Sequence, residues 1–179
     1  MTPSDLQQLY QQLYQQVILD HAKARHGASI EPLPPLGDSA TVEGGPAIAE
    51  SYQVNTTCGD EVTVRVSIRT AVPNADGAGD GIHSGRIEEI VWQGEGCSLS
   101  IAAASVLTDT MRNTSVREAR VLLDAYRSML HAREAAEPNA EALGDAAAFM
   151  GVSRYPSRVK CAMLPWEALE AALITAKRR

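Results

Sequence analysis

Glu61-Val62-Thr63-Val64-Arg65-Val66-Ser67-Ile68 alternates without interruption: Val62, Val64, Val66 and Ile68 fall on one face, Glu61, Thr63, Arg65 and Ser67 on the other. A period of two with β-branched residues on the apolar face predicts a half-buried strand. Upstream, Ala47–Asn55 (AIAESYQVN) reads as a strand ending at the turn TTCGD, residues 56–60. Downstream, Arg86–Gln93 (RIEEIVWQ) reads as a third, with Ile90 and Trp92 facing one way. Residues 71–85, rich in Gly, Asp and Asn, form an expected flexible hairpin loop. Connections this short leave no room for crossover helices, so the three strands form an antiparallel meander.

Beyond Gly94-Glu95-Gly96 the period changes. Leu99, Ala102, Ala103, Val106 and Leu107 recur at helical spacing. Ser115 and Glu118 make a capping box for a helix to about Leu130. Residues 131–148 read as partly helical. A helical pattern resumes at Pro156, and Pro165 is expected to break and restart it, because proline suits a first turn rather than a helix interior. Near the start, Leu6, Leu9, Tyr10, Leu13, Tyr14, Val17, Ile18 and His21 form one stripe, read as a helix packed on the core, with Pro3 at its entrance and Ser4–Gln7 as its capping box. Residues 27–46, with Pro32, Pro34 and Pro35, read as an extended connection. The whole is one α+β domain, residues 1–179: a small antiparallel three-stranded sheet packed against a bundle of about five helices.

Composition removes several functions. Sixteen basic against 22 acidic residues give a formal charge of −6 and a pI near 5.2, which argues against nucleic-acid binding. No apolar run approaches the roughly 20 residues of a membrane span, and the first residues lack the pattern of a secretory signal. The expected location is the cytoplasm. No GxGxxG or Walker pattern occurs, and Ser98 and Ser100 have no evident His and acid partners, which argues against a serine hydrolase.

Three cysteines remain: Cys58 in the turn between two strands, Cys97 at a strand-to-helix junction, and Cys161 near the start of the last helical segment. Each lies at the end of an element, none on an apolar stripe, and no CxxC pair exists. A helix N-terminus favours thiolate at Cys97, and Arg158 with Lys160 would favour it at Cys161. Three converging thiolates repel one another unless a cation holds them. Zinc takes four ligands. Asp60, in the same turn as Cys58, is the best fourth, with His21, His26, His83 and His131 as rivals, of which His21 reads better as a satisfied core residue. The plain alternative is three small hydrophobes.

Four blocks together, LYQQVILDHAKARH, NTTCGD, GEGCSLSIAAASVLTD and SRVKCAMLPWEALEAAL, resemble the iron–sulfur assembly proteins of the IscU/NifU N-terminal type over about residues 9–173. Within that family the chain is similar to the SufU branch: Lys160 stands where IscU-type scaffolds have a histidine, and extra sequence lies between the Ser115 helix and Cys161. The resemblance implies an IscU-like fold with Cys58, Asp60, Cys97 and Cys161 as zinc ligands, Cys58 as the sulfur acceptor, and Arg158 as a supporting residue. Residues 1–8 extend the first helix beyond the family pattern.

What the resemblance implies is a zinc-dependent sulfurtransferase. Its partner would be a SufS-type pyridoxal-phosphate cysteine desulfurase, with a thiol reductant or downstream scaffold removing the sulfur. The alternatives are a scaffold assembling a [2Fe–2S] cluster on the same ligands, and a structural zinc adaptor.

Overall fold

The computed structural model describes residues 2–36, 45–70, 81–132 and 140–177. Val62, Val64, Val66 and Ile68 are all buried on one face of β2 (Glu61–Arg69), as the alternation requires. β2 lies between β1 (Ala47–Val54) and β3 (Arg86–Glu95), antiparallel to both, in the order β1-β2-β3. The register from Val54 opposite Glu61 to Glu61 opposite Glu95 aligns the β1–β2 turn with the end of β3. Both cysteine-bearing junctions therefore lie at one edge of the sheet.

Among the described residues five α-helices accompany the sheet: α1 (Pro3–Ala24), α2 (Ser98–Met111), α3 (Val116–His131), the single turn α4 (Ala140–Leu143) and α5 (Pro156–Lys177). Short 3-10 segments run over Gly81–Ser84 and Gly144–Arg154. α5 packs across β1 and β2 and against α2, and α1 lies along α2. The core is aliphatic around a few rings: Trp92 is fully buried, and Tyr126 stacks on Trp166 with centroids 3.8 Å apart. Residues 71–80 of the expected hairpin loop lie outside the described residues, as do 37–44 of the Pro-rich connection. No helix among the described residues is long and apolar enough to cross a membrane.

Three expectations need correction. α1 starts two residues earlier than Ser4–Gln7 suggests: Thr2 is the N-cap and exchanges hydrogen bonds with Asp5, because Pro3, lacking an N–H, fits the first helical turn. The α1 stripe is covered only towards its end: Leu6, Leu9, Tyr10 and Leu13 are 40–52% exposed, whereas Tyr14, Val17 and Ile18 are half-buried and His21 is buried. Pro165 does not divide the last helix. α5 runs unbroken through it, leaving the Cys161 carbonyl without the usual i+4 N–H donor. Leu164, Trp166 and Leu169, all buried, pack the segment around Pro165 into the core.

Candidate metal centre

The turn carrying Cys58 is shaped by Asn55. Its backbone N–H donates to the Asp60 carbonyl (2.8 Å), and its own carbonyl accepts from the N–H groups of Cys58 (3.3 Å) and Gly59 (2.8 Å). Its side chain works in two directions: Oδ1 accepts from Thr57 N–H (3.1 Å), and Nδ2 donates to Cys161 Sγ (3.8 Å). Gly59, at φ +81°, adopts the left-handed conformation that brings the chain back toward the sheet. Cys58 is left exposed at the tip while Asp60 turns inward and is buried.

Cys97 is the N-cap of α2, its thiol making no capping bond. Its N–H donates to Asp60 Oδ1 (3.2 Å), and the Ser100 hydroxyl, one turn into the helix, sits 2.9 Å from Asp60 Oδ2 and 3.7 Å from Cys97 Sγ. Gly96 permits this approach, because a Cβ there would meet Ser100 Oγ at 2.5 Å and Asp60 Cγ at 2.7 Å. Cys161 enters from the second turn of α5, 3.6 Å from Cys58 Sγ. One ligand atom each from Cys58, Asp60 and Cys161 lies within 4.8 Å of the others. Cys97 adjoins the group through Asp60 and Ser100.

This arrangement fits a tetrahedral metal ion. The 3.6 Å between Cys58 and Cys161 sulfurs is far beyond a disulfide bond of about 2.05 Å. It matches the ligand separation of about 3.8 Å that a tetrahedron with bonds of about 2.3 Å requires. Asp60 is a buried carboxylate that makes no ion pair among the described residues, so its negative charge is hydrogen-bonded but not neutralised, and a cation would find it available.

The electrostatics divide the group. Burial opposes ionisation of Asp60, but hydrogen bonds from the Cys97 thiol, the Ser100 hydroxyl, the Cys97 amide and Cys161 outweigh it, so the carboxyl sits below its ordinary value. Cys161 behaves oppositely. Burial first, then the Cys58 hydrogen bond and the Cys97 charge, push its thiol far up. That corrects the sequence expectation: Arg158 and Lys160 are exposed, too well solvated to lower it. Cys161 itself is only 7% exposed, deeper than a position at an element's end suggested.

Of the rival ligands, His21 is buried against Ser105 and Asp145, and His26 pairs with Asp109. Neither joins the sulfurs. His131 is exposed at the last residue of α3, and the side chain of His83 lies outside those described. Arg158 places its guanidinium 4.9 Å from the Tyr155 ring centroid and lines a groove with Tyr14, Leu99 and Met150. Sequence reasoning passed over Asn55 and set Ser100 aside with hydrolases. Only Ser100's distance of three from Cys97, one helical turn, carried a signal.

Residues 13–162 match the model of the NifU-like N-terminal domain. The chain belongs to that family. It is 30% identical over 158 residues to the zinc-dependent sulfurtransferase SufU of Bacillus subtilis, covering 88% of this chain and 87% of that one. It is also 30% identical over 162 residues to the iron–sulfur cluster assembly scaffold protein IscU of Streptococcus pyogenes, covering 90% and 82%. A crystal structure from Fervidobacterium islandicum, described as a candidate cluster assembly scaffold for the SUF system, superimposes with a TM-score of 0.59 at 26% identity, covering 88% of this chain and 93% of that one. The IscU-like α+β fold and the place in iron–sulfur cluster assembly follow from these likenesses.

Proposed function

We propose that this NifU-like domain is a zinc-dependent sulfur acceptor. In this reading Cys58, Asp60, Cys97 and Cys161 hold Zn2+, and Cys58 takes sulfur from the persulfide of a cysteine desulfurase of the pyridoxal-phosphate class in the cytoplasm. The observation that carries it is the asymmetry of the sulfurs: Cys161, 3.6 Å from Cys58, is buried in a helix, whereas Cys58 and Cys97 are exposed. Of the two exposed thiols, Cys97 is tied to Asp60 through its N–H and to the Ser100 hydroxyl at 3.7 Å, which leaves Cys58, on a turn tip, as the one to meet an incoming group.

Bound Zn2+ would supply positive charge that keeps the thiols as thiolates near neutral pH. The Cys58 thiolate attacks the outer sulfur of the partner's persulfide. A Cys58 Sγ–S bond forms, the partner's S–S bond breaks, and its electron pair leaves as the partner's thiolate, while the transferred sulfur keeps its proton. Accessibility and thiolate fraction set the rate. Asp60 and Cys97 remain anchored by the Ser100 and backbone hydrogen bonds while Cys58 moves on its turn. Arg158, one helical turn before Cys161, supports the site with an exposed positive charge over Tyr155. A thiol reductant or a downstream scaffold then removes the sulfur.

SufU and IscU are equally similar to this chain, so identity does not choose between them. Lys160 favours the acceptor: its exposed ammonium provides no ring nitrogen beside Cys161, whereas the scaffold reading calls for a histidine there. The test is cysteine desulfurase turnover with and without the protein, together with its metal content. We expect stimulation that falls to the basal rate in Cys58→Ala, and about one zinc per chain in a colourless protein. Full stimulation by Cys58→Ala would overturn the acceptor role and leave an adaptor. A coloured, iron- and sulfide-containing protein purified without air would establish the scaffold instead.

A further inference from the structure

His21, His26 and Asp109 form a second gathering of metal-ligating groups, built from elements other than those that hold the cysteines. One atom of each lies within 4.8 Å of the others. His21 is in the last turn of α1, His26 follows the helix end, and Asp109 is in the last turn of α2. We infer that these three side chains form a divalent cation site of two imidazoles and one carboxylate, distinct from the sulfur site and selective for nitrogen and oxygen ligation.

The first argument is the state of His21. Its Nε2 lies 3.1 Å from Asp145 Oδ2. A carboxylate can only accept, so Nε2 carries the proton, and in the neutral ring Nδ1 presents its lone pair. A carboxylate on the far nitrogen of a histidine is the outer-shell arrangement that fixes metal-binding imidazoles. Nδ1 now meets the Ser105 hydroxyl at 2.9 Å. Ser105 lies inside α2, where serine can turn its proton to the carbonyl four residues back, and the lone pair is then available.

The second argument is backbone placement. Arg25 has φ +50°, which non-glycine residues seldom adopt, and this left-handed residue ends α1 and turns His26 back toward α2. His26 is then fixed on both sides of its Cα: its N–H donates to Ser105 Oγ (2.9 Å) and its carbonyl accepts from the Trp92 indole N–H (2.7 Å). Its ring faces that of His21 edge-on, centroids 5.5 Å apart.

The third argument is Asp109. A carboxylate in a helix's last turn meets the negative end of the dipole, and the last turn of α2 carries no basic residue. What offsets it is His26 Nδ1, 2.5 Å away, and an ion seated between them would offset it more strongly. Ligands around a tetrahedral ion with bonds of about 2.0–2.1 Å sit about 3.4 Å apart. Small side-chain movements supply that spacing, and the side chains of His26 and Asp109, 48% and 43% exposed, are free to make them. Two imidazoles and a carboxylate suit first-row divalent ions such as Zn2+, Co2+ and Fe2+.

The test is titration of the zinc-loaded full-length chain with Co2+, followed by absorbance. We expect uptake beyond the sulfur site, giving weak d–d bands without sulfur-to-cobalt charge transfer. That uptake should weaken at least tenfold in His26→Ala and in Asp109→Asn, both partly exposed and tolerable to the fold, and by about tenfold in Asp145→Ala. It should persist in Cys58→Ser, so that failure here and failure of the sulfur-transfer reading are told apart. No extra cobalt in the native chain, bands with sulfur character only, or uptake unchanged in both His26→Ala and Asp109→Asn would overturn the site.

Discussion

Asn55 and Gly96 show how much of the sulfur site depends on residues outside the candidate ligand set. Asn55 is 9% exposed and bonds both its own turn and Cys161. Asn55→Ala removes both side-chain bonds and is expected to cost about 1–3 kcal/mol, read as a lower denaturation midpoint, together with faster zinc loss to a chelator. Gly96→Ala is the sharper probe. The added methyl would sit 2.5–2.9 Å from Ser100 Oγ and the Asp60 side chain, so Asp60 must turn away while the core is untouched. We expect weakened zinc retention, with the metal-free variant melting close to the metal-free native chain, and native zinc affinity in this variant would count against Asp60 as a ligand.

At the scale of elements, the α3 cap offers a pH test. Glu118 accepts hydrogen bonds from the Ser115 backbone N–H and hydroxyl, both at 2.8 Å, which hold its carboxyl below the ordinary glutamate value. The stabilisation is therefore present above pH about 4.3 and lost as pH falls through the depressed folded-state value. Glu118→Gln should flatten that part of the stability profile between pH 5 and 3, measured by denaturant unfolding. Ser115→Ala should cost about 1 kcal/mol at pH 7. This cap was legible because its signature is local, four residues in a row. So were the strands, whose period of two follows directly from pleating. The unbroken α5 was not legible: a proline's local cost is visible in a sequence, but the tertiary packing of Trp166 and Leu169 that outweighs it is not. The exposed first turns of α1 escaped for the same reason, since periodicity shows a stripe and not what lies opposite. At the sulfur site, the cysteines and Asp60 could be nominated from chemistry and family likeness, whereas their convergence needed the sheet register that aligns two distant junctions.

For the whole molecule, an ion held as proposed would tie the β1–β2 turn to the starts of α2 and α5. Binding to the folded state alone stabilises by about 2.7 kcal/mol at a free concentration 100 times Kd, which for a chain of this size raises Tm by about 5–10 °C. Chelation should reverse that rise, followed by calorimetry. Because burial and its sulfur neighbours hold Cys161 protonated in the ion-free fold, metal uptake in the proposed reading would release its proton, so affinity should fall as pH is lowered and the buffer should acidify during titration. The ligands are also far apart in the order of synthesis. When a ribosome has delivered the first 150 residues, all three strands and both exposed cysteines exist, but the buried thiol does not. In the proposed reading a nascent chain would therefore close its coordination shell only after α5 has emerged and settled across β1 and β2, so ion capture would follow the docking of that helix rather than precede it.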